Sequence, residues 1–204
     1  MIKNLVFDFG DVFINLDKKA PEQALAKMGI RQIDDEMVNW HNTYEKGLMS
    51  SEALTEQYLK KFPALTALSF KQAWNSIILD FPQHRLDWII QLAKSKKYRL
   101  FLLSNTNDLH IEQVIKNMDA MRYSQFQNCF ERFYLSQQIH MRKPDLEIYD
   151  FVLQQDQLTA QETLFIDDTI LNTAAASSMG IHTWHLEPGK EDITQLFEIK
   201  KQLF

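Results

Sequence analysis

The chain has 204 residues, enough to bury a sizeable core as one domain with room for an insertion. A hydrophobic share of 45% with only 5 Gly and 5 Pro excludes a linker, a repeat array or a disordered polar chain. The formal charge of −5, with no basic run beyond "KSKK" at 94–97, speaks against a nucleic-acid partner. The lone Cys129 gives no disulfide framework, which points to a reducing, cytoplasmic setting. An acid at position 8 spoils any signal-peptide apolar region, and no apolar run approaches the length that crosses a membrane.

Five short runs rich in apolar, β-branched or aromatic residues predict strands, and the first is "IKNLVFDF" at 2–9. Residues 16–81 hold no convincing strand. They read as helices, "APEQALAKMG", "DDEMVNWHNTYEKG", "SSEALTEQYLKKF" with a serine cap, and "SFKQAWNSIIL". This block is too long for a crossover connection and predicts an inserted helical cap over 16–81, on a core built from 1–15 and 82–204. The helix "HRLDWIIQLAKSKK" leads back to the second strand, "YRLFLLS" at 98–104, after which Ser104, Asn105 and Thr106 open a helix. A third strand, "RFYLS", precedes "MRKPDLEIYDFVLQQ", with Lys143 just before Pro144 at a helix N-terminus. The fourth, "TLFID" at 163–167, runs into "DTILN" and an Ala-rich helix stopped by Gly180, and "IHTWHL" at 181–186 is the fifth. Regular alternation of strand and helix predicts an α/β fold with a parallel sheet.

The polar residues fall at the strand ends. In an open α/β sheet that edge is where ligands bind. Asp8, Asp167 and Asp168 at close quarters raise one another's pKa unless a cation lies among them, and a hard divalent ion such as Mg²⁺ suits such oxygen ligands. Ser104 and Asn105 at a helix start offer donors to phosphate, and Lys143 supplies a fixed positive charge. Metal, phosphate donors and a remaining carboxylate nucleophile together describe phosphoryl transfer through an aspartyl-phosphate.

"DFGDV", "LLSNTN", "MRKPD" and "FIDDTILN" resemble, in order and position, the four motifs of the haloacid dehalogenase superfamily. The wording is most similar to the branch holding bacterial glucose-1-phosphate phosphatases and the phosphatase domains of epoxide hydrolases. The resemblance covers nearly the whole chain. It implies a Rossmann-like core with strand order 5-4-1-2-3 and a helical cap after the first motif. It further implies Asp8 as nucleophile and metal ligand, the Gly10 carbonyl and Asp168 as metal ligands, and Asp167 and Asn172 supporting the metal. Ser104, Asn105 and Lys143 would hold the phosphate of a small phosphate ester.

Gly10 stands where most phosphatases of the superfamily carry the acid that protonates the leaving oxygen, and Asp11 lies one residue too far along, where it reads as a solvated turn residue. A site without that acid favours an acidic leaving group, hence a hexose 1-phosphate over a 6-phosphate. Two other readings compete. A metal-free 2-haloacid dehalogenase is opposed by Asp167 and Asp168, and a catalytically weak binding protein by the intact Asp8, Lys143 and Asp168.

Overall fold

In the computed structural model, which describes residues 1–204, five strands form one parallel sheet. Strand β1 (Asn4–Phe7) is followed by four helices, α1 (Ala20–Lys27), α2 (Asp35–Glu45), α3 (Ser51–Lys61) and α4 (Ala67–Asn75). Helix α5 (Gln83–Ser95) then leads to β2 (Arg99–Ser104), α6 (Asp108–Met118) and α7 (Ala120–Gln127). Next come β3 (Arg132–Leu135), α8 (Ser136–Ile139), α9 (Leu146–Gln155), β4 (Thr163–Asp167), α10 (Ile170–Ser178), β5 (His182–His185) and α11 (Leu196–Ile199). The order across the sheet is β3-β2-β1-β4-β5, the expected Rossmann-like order counted from the other edge. No helix is long and apolar enough to cross a membrane.

A parallel strand covered on both faces is apolar at successive positions, and its side chains alternate between two cores. Leu5, Phe7, Leu100, Leu102, Leu164 and Ile166 face one core, under α5, α7 and the C-terminal segment. Val6, Phe101, Leu103 and Phe165 face the other, under α9 and α10. The loop after β1 is pinned from below. Phe9 and Phe13 are buried and pack on Phe126 with ring centroids 5.1 and 4.9 Å away.

Helices α1–α4 enclose a core of their own, centred on Met37, Trp40, Tyr44, Leu54, Tyr58 and Phe70, with Leu109 entering from α6. Asp34, Ser50 and Thr66 cap α2, α3 and α4 by accepting from Met37, Ala53 and Ser69 N–H groups, which fixes where each helix starts. The chain enters and leaves this lobe as a short antiparallel ribbon. Asn15 N–H donates to Asp80 O at 2.9 Å, Asp17 N–H to Ile77 O at 2.9 Å, and Leu79 N–H to Asn15 O at 3.1 Å.

The helix expected to open at Ser104 opens later. Asn107 is its cap and accepts from His110 N–H at 3.1 Å, because the preceding residues are tied sideways. Thr106 N–H donates to Ser136 Oγ, and the Asn105 amide is bonded to the backbone of Lys143.

Candidate active site

The acids and the lysine singled out in the sequence meet at the carboxyl edge of the three central strands. Asp8 follows β1 directly, and its N–H extends the ladder by donating to Ile166 O at 2.8 Å. Lys143, 1% exposed, crosses beneath it. Its ammonium donates to Asp8 Oδ1 at 2.6 Å, Asp167 Oδ2 at 2.7 Å and Leu103 O at 2.8 Å. An ammonium has three protons, so all three are committed. Lys143 therefore has no proton left for a further acceptor.

Asp167 lies fully out of solvent. Besides Lys143 it accepts from Thr169 N–H at 2.7 Å and, with both oxygens, from Asn172 Nδ2 at 3.1 Å. Those four bonds hold it rigidly under the lysine. Asp168 faces the opposite way, into the cavity, with its backbone carbonyl accepting from His185 Nε2 at 2.9 Å.

The Asp8 carboxyl is pushed up to about 7, by burial first and also by Asp167 and Asp168, against the pull of Lys143. Asp168 is raised by burial, against the ion pair with Lys18 and with a push from Asp167 and Asp11. Burial alone would depress the Lys143 ammonium, but Asp167 and Asp8 outweigh it and hold it above its ordinary value.

Two features show that the donor set fits a divalent cation. One oxygen each from Asp8, Asp167 and Asp168 lie within 4.8 Å of one another. In addition, the Lys18 ammonium sits on Asp168 Oδ2 and, at 3.0 Å, on Asp11 Oδ2, a cation of the chain itself at the rim of the cluster. Four carboxylates (Asp8, Asp11, Asp167, Asp168) against two ammoniums (Lys18, Lys143) leave two negative charges to be balanced. Hard oxygen donors with that excess suit Mg²⁺. Gly10 borders the same cavity, a space of about 430 Å³.

The structure relocates several expected roles. Ser104 is the last residue of β2 and is buried, while Asn105 reaches the cavity wall. The amide of Asn105 is used on Lys143, receiving its N–H at 2.9 Å and donating to its carbonyl at 2.8 Å, so it positions the lysine loop. Asp11 is not a solvated turn residue. It is buried, adopts φ +55°, and accepts from Leu16 N–H at 3.0 Å. The left-handed position in this turn is thus Asp11, not Gly10. At Gly10 a Cβ would stand 2.7 Å from Leu16 Cδ1, the tip of a side chain that can turn aside.

Two residues at the site escaped the sequence. Lys18 comes from the entry ribbon of the helical lobe. Glu45, at the end of α2, accepts from Arg142 Nε at 3.0 Å, joining the lobe to the residue before Lys143. Only the adjacency of Arg142 to the "KP" pair hinted at it. His41 borders a second chamber, whereas Trp40 is buried in the lobe core and Tyr44 bonds Ser51 and Leu109.

A parallel α/β sheet with a carboxylate cluster and a buried lysine at its central strand ends defines a hydrolase of the phosphatase kind. The chain belongs to the haloacid dehalogenase-like hydrolase family, whose profile matches residues 5–185. It is 32% identical over 197 residues to a D-ribitol-5-phosphate phosphatase of Bacteroides thetaiotaomicron, covering 94% of this chain and 95% of that protein. A crystal structure of a haloacid dehalogenase family enzyme from Bacteroides thetaiotaomicron, in complex with magnesium and inorganic phosphate, superposes with a TM-score of 0.81. It is 33% identical and covers 97% of this chain and 100% of that one. A hydrolase of the same kind from Porphyromonas gingivalis is 28% identical with a TM-score of 0.81, covering 100% and 98% of the two chains.

Proposed function

We propose that this chain hydrolyses the phosphate monoester of a small sugar or polyol through a phosphoaspartate on Asp8. The observation that carries the reading is the division of labour on the Asp8 carboxylate. Lys143 holds Oδ1, while Oδ2 has no hydrogen bond within the protein and is not among the buried unpaired atoms. Oδ2 is the attacking oxygen. It forms a bond to phosphorus as the ester bond between phosphorus and the alcohol oxygen breaks, and the departing alkoxide takes its proton from solvent water. Water then attacks the same phosphorus as the bond from phosphorus to Asp8 Oδ2 breaks, which releases inorganic phosphate, returns a proton to solvent and restores the carboxylate.

Lys143 favours the ionised form of Asp8 and orients it, Asp167 and Asn105 keep Lys143 in place, and Asn105 borders the phosphate position from the β2 side. Asp8, the Gly10 carbonyl and Asp168 would hold Mg²⁺, with Asp167 supporting them. When bound, the ion neutralises the acid cluster and the incoming phosphate. Helices α1–α4 act as the cap that covers the alcohol half of the substrate.

Two substrate types have separate support. The relative along nearly the whole chain is named for ribitol 5-phosphate, an ester of a primary alcohol. Gly10, which leaves no acid beside the departing oxygen, favours the more acidic anomeric hydroxyl of glucose 1-phosphate. Phosphate release from ribitol 5-phosphate, glucose 1-phosphate and glucose 6-phosphate with Mg²⁺ present is the test. Turnover that disappears in Asp8→Asn supports the reading, and its persistence in that variant rules out the covalent route. A rate on glucose 6-phosphate above that on glucose 1-phosphate removes the leaving-group argument.

A further inference from the structure

Glu45 borders three spaces at once. It lines the cavity over Asp8 and Lys143, the cleft beside Asn105 and Thr106, and a chamber of about 400 Å³ beneath the helical lobe. An alcohol attached to phosphorus over Asp8 and reaching toward the lobe passes this side chain. Arg142 approaches one oxygen only, with Nε and Nη2 both 3.0 Å from Oε2. Oε1 has no partner in the protein and is not among the buried unpaired atoms, and the side chain is 28% exposed. Glu45 is therefore a carboxylate fixed in direction by an arginine, with one oxygen left over.

The chamber beyond it is largely satisfied internally. Trp74 Nε1 donates to Asn107 at 3.3 Å, and His110 uses both ring nitrogens, on Asn107 and on the Trp74 carbonyl. His41 Nε2 lies 2.6 Å from the Tyr58 hydroxyl. These rings offer a carbon skeleton flat faces more than hydrogen bonds, and Lys18, which also lines the chamber, is committed to Asp168 and Asp11, so Glu22 on its wall and Glu45 at its mouth carry the polar selection.

We infer that Glu45 is a specificity-determining residue whose free oxygen accepts hydrogen bonds from hydroxyls of the departing alcohol, so that a neutral polyhydroxy chain is admitted and a second anionic group is refused. This rests on the phosphatase reading above. A carboxylate cannot serve a phosphate, which it repels, but a hydroxyl donor satisfies it. A substrate that brings an alkyl group desolvates Oε1 without giving it a donor, and one that brings a carboxylate places like charges together. A site made to bond a hydroxyl discriminates sharply against analogues lacking it.

The test compares three five-carbon esters, ribitol 5-phosphate, pentyl phosphate and ribonate 5-phosphate, on wild type, Glu45→Gln and Glu45→Asp. In Glu45→Gln the ratio of kcat/KM for ribitol 5-phosphate over pentyl phosphate falls about tenfold or more, through KM. The ratio of ribonate to ribitol ester rises about as much, while Glu45→Asp, which keeps the charge, still refuses the ribonate ester. Equal losses on all three esters would mean that Glu45 merely ties the lobe to Arg142, and would overturn the inference while leaving the phosphatase reading intact. Wild-type protein that releases phosphate from none of them, nor from an aryl phosphate, overturns both.

Discussion

Replacing Lys143 by methionine tests the site at its centre. The substitution keeps the length of the side chain and removes the charge that Asp8 and Asp167 share, at 2.6 and 2.7 Å. It also leaves the Leu103 carbonyl without its donor. Breaking a buried pair by removing one partner costs about 3–5 kcal/mol, a large part of the total stability of an ordinary domain. At a urea slope of about 1–3 kcal/mol per molar, the unfolding midpoint falls by more than about 1 M.

The loss depends on pH with a definite sign. The Asp8 carboxyl is pushed up to about 7, by burial first, against the pull of Lys143, so without the lysine that group rises further. A folded-state value above the unfolded one gives stability that is present below the unfolded value and is lost as pH rises through the folded value. At pH 5 Asp8 carries its proton in both proteins, and the difference between them narrows. At pH 8 the wild type has completed its titration and the variant has not, so the difference is largest. Urea unfolding with chelator at both pH values is the assay. A loss below about 1 kcal/mol at pH 8, or one equal at the two pH values, refutes the account of Lys143 as the buried counter-charge.

The same sign predicts that chelated wild-type protein loses stability between about pH 4 and pH 7, and that MgCl₂ restores it most above pH 7, which thermal melts at several pH values will read. Lys18→Met removes the chain's own cation from Asp168 and Asp11, so calorimetric titration should find Mg²⁺ bound about three- to tenfold more tightly than by wild type. Weaker binding would mean that Lys18 assists the metal. Gly47→Ala places a Cβ 1.9 Å from the Gln137 carbonyl oxygen at a left-handed position (φ +65°), a clash between two backbones that no rotamer relieves. A cost of about 1–3 kcal/mol in urea unfolding is expected, and a neutral result would show that this contact between α2 and α8 yields freely.

The strands and the acids at their ends were legible because each is a local signal: an apolar run, then an abrupt polar residue. Asp8, Lys143, Asp167 and Asp168 needed only the assumption of a parallel sheet to converge. What escaped is contact across long separations. Glu45 and Arg142 lie 97 positions apart, and Lys18 and Asp168 lie 150 apart; surface-type residues carry no periodicity that pairs them. Asn105 was legible as a polar residue at the strand-end cavity, but not as the clamp on Lys143, because an amide serves either purpose equally well. Asp11 looked like an ordinary turn residue because its burial is imposed by Leu16 and Lys18, which fold back over it.

The ribbon between Asn15–Asp17 and Ile77–Asp80 fixes charge as well as position. It joins the four-helix lobe to the sheet on one side, while Leu109 of α6 enters the lobe core and its N–H donates to the Tyr44 hydroxyl at 3.1 Å. The strip carries Leu16, which borders Gly10, and leads directly into Lys18, which pairs with Asp168 and Asp11. At the other side of the cavity Glu45 meets Arg142 and Lys46 meets Asp145 at 3.0 Å. The segment that attaches the lobe is thus the one that delivers an ammonium to the acid cluster, so the charge at the rim is set by how the lobe is attached.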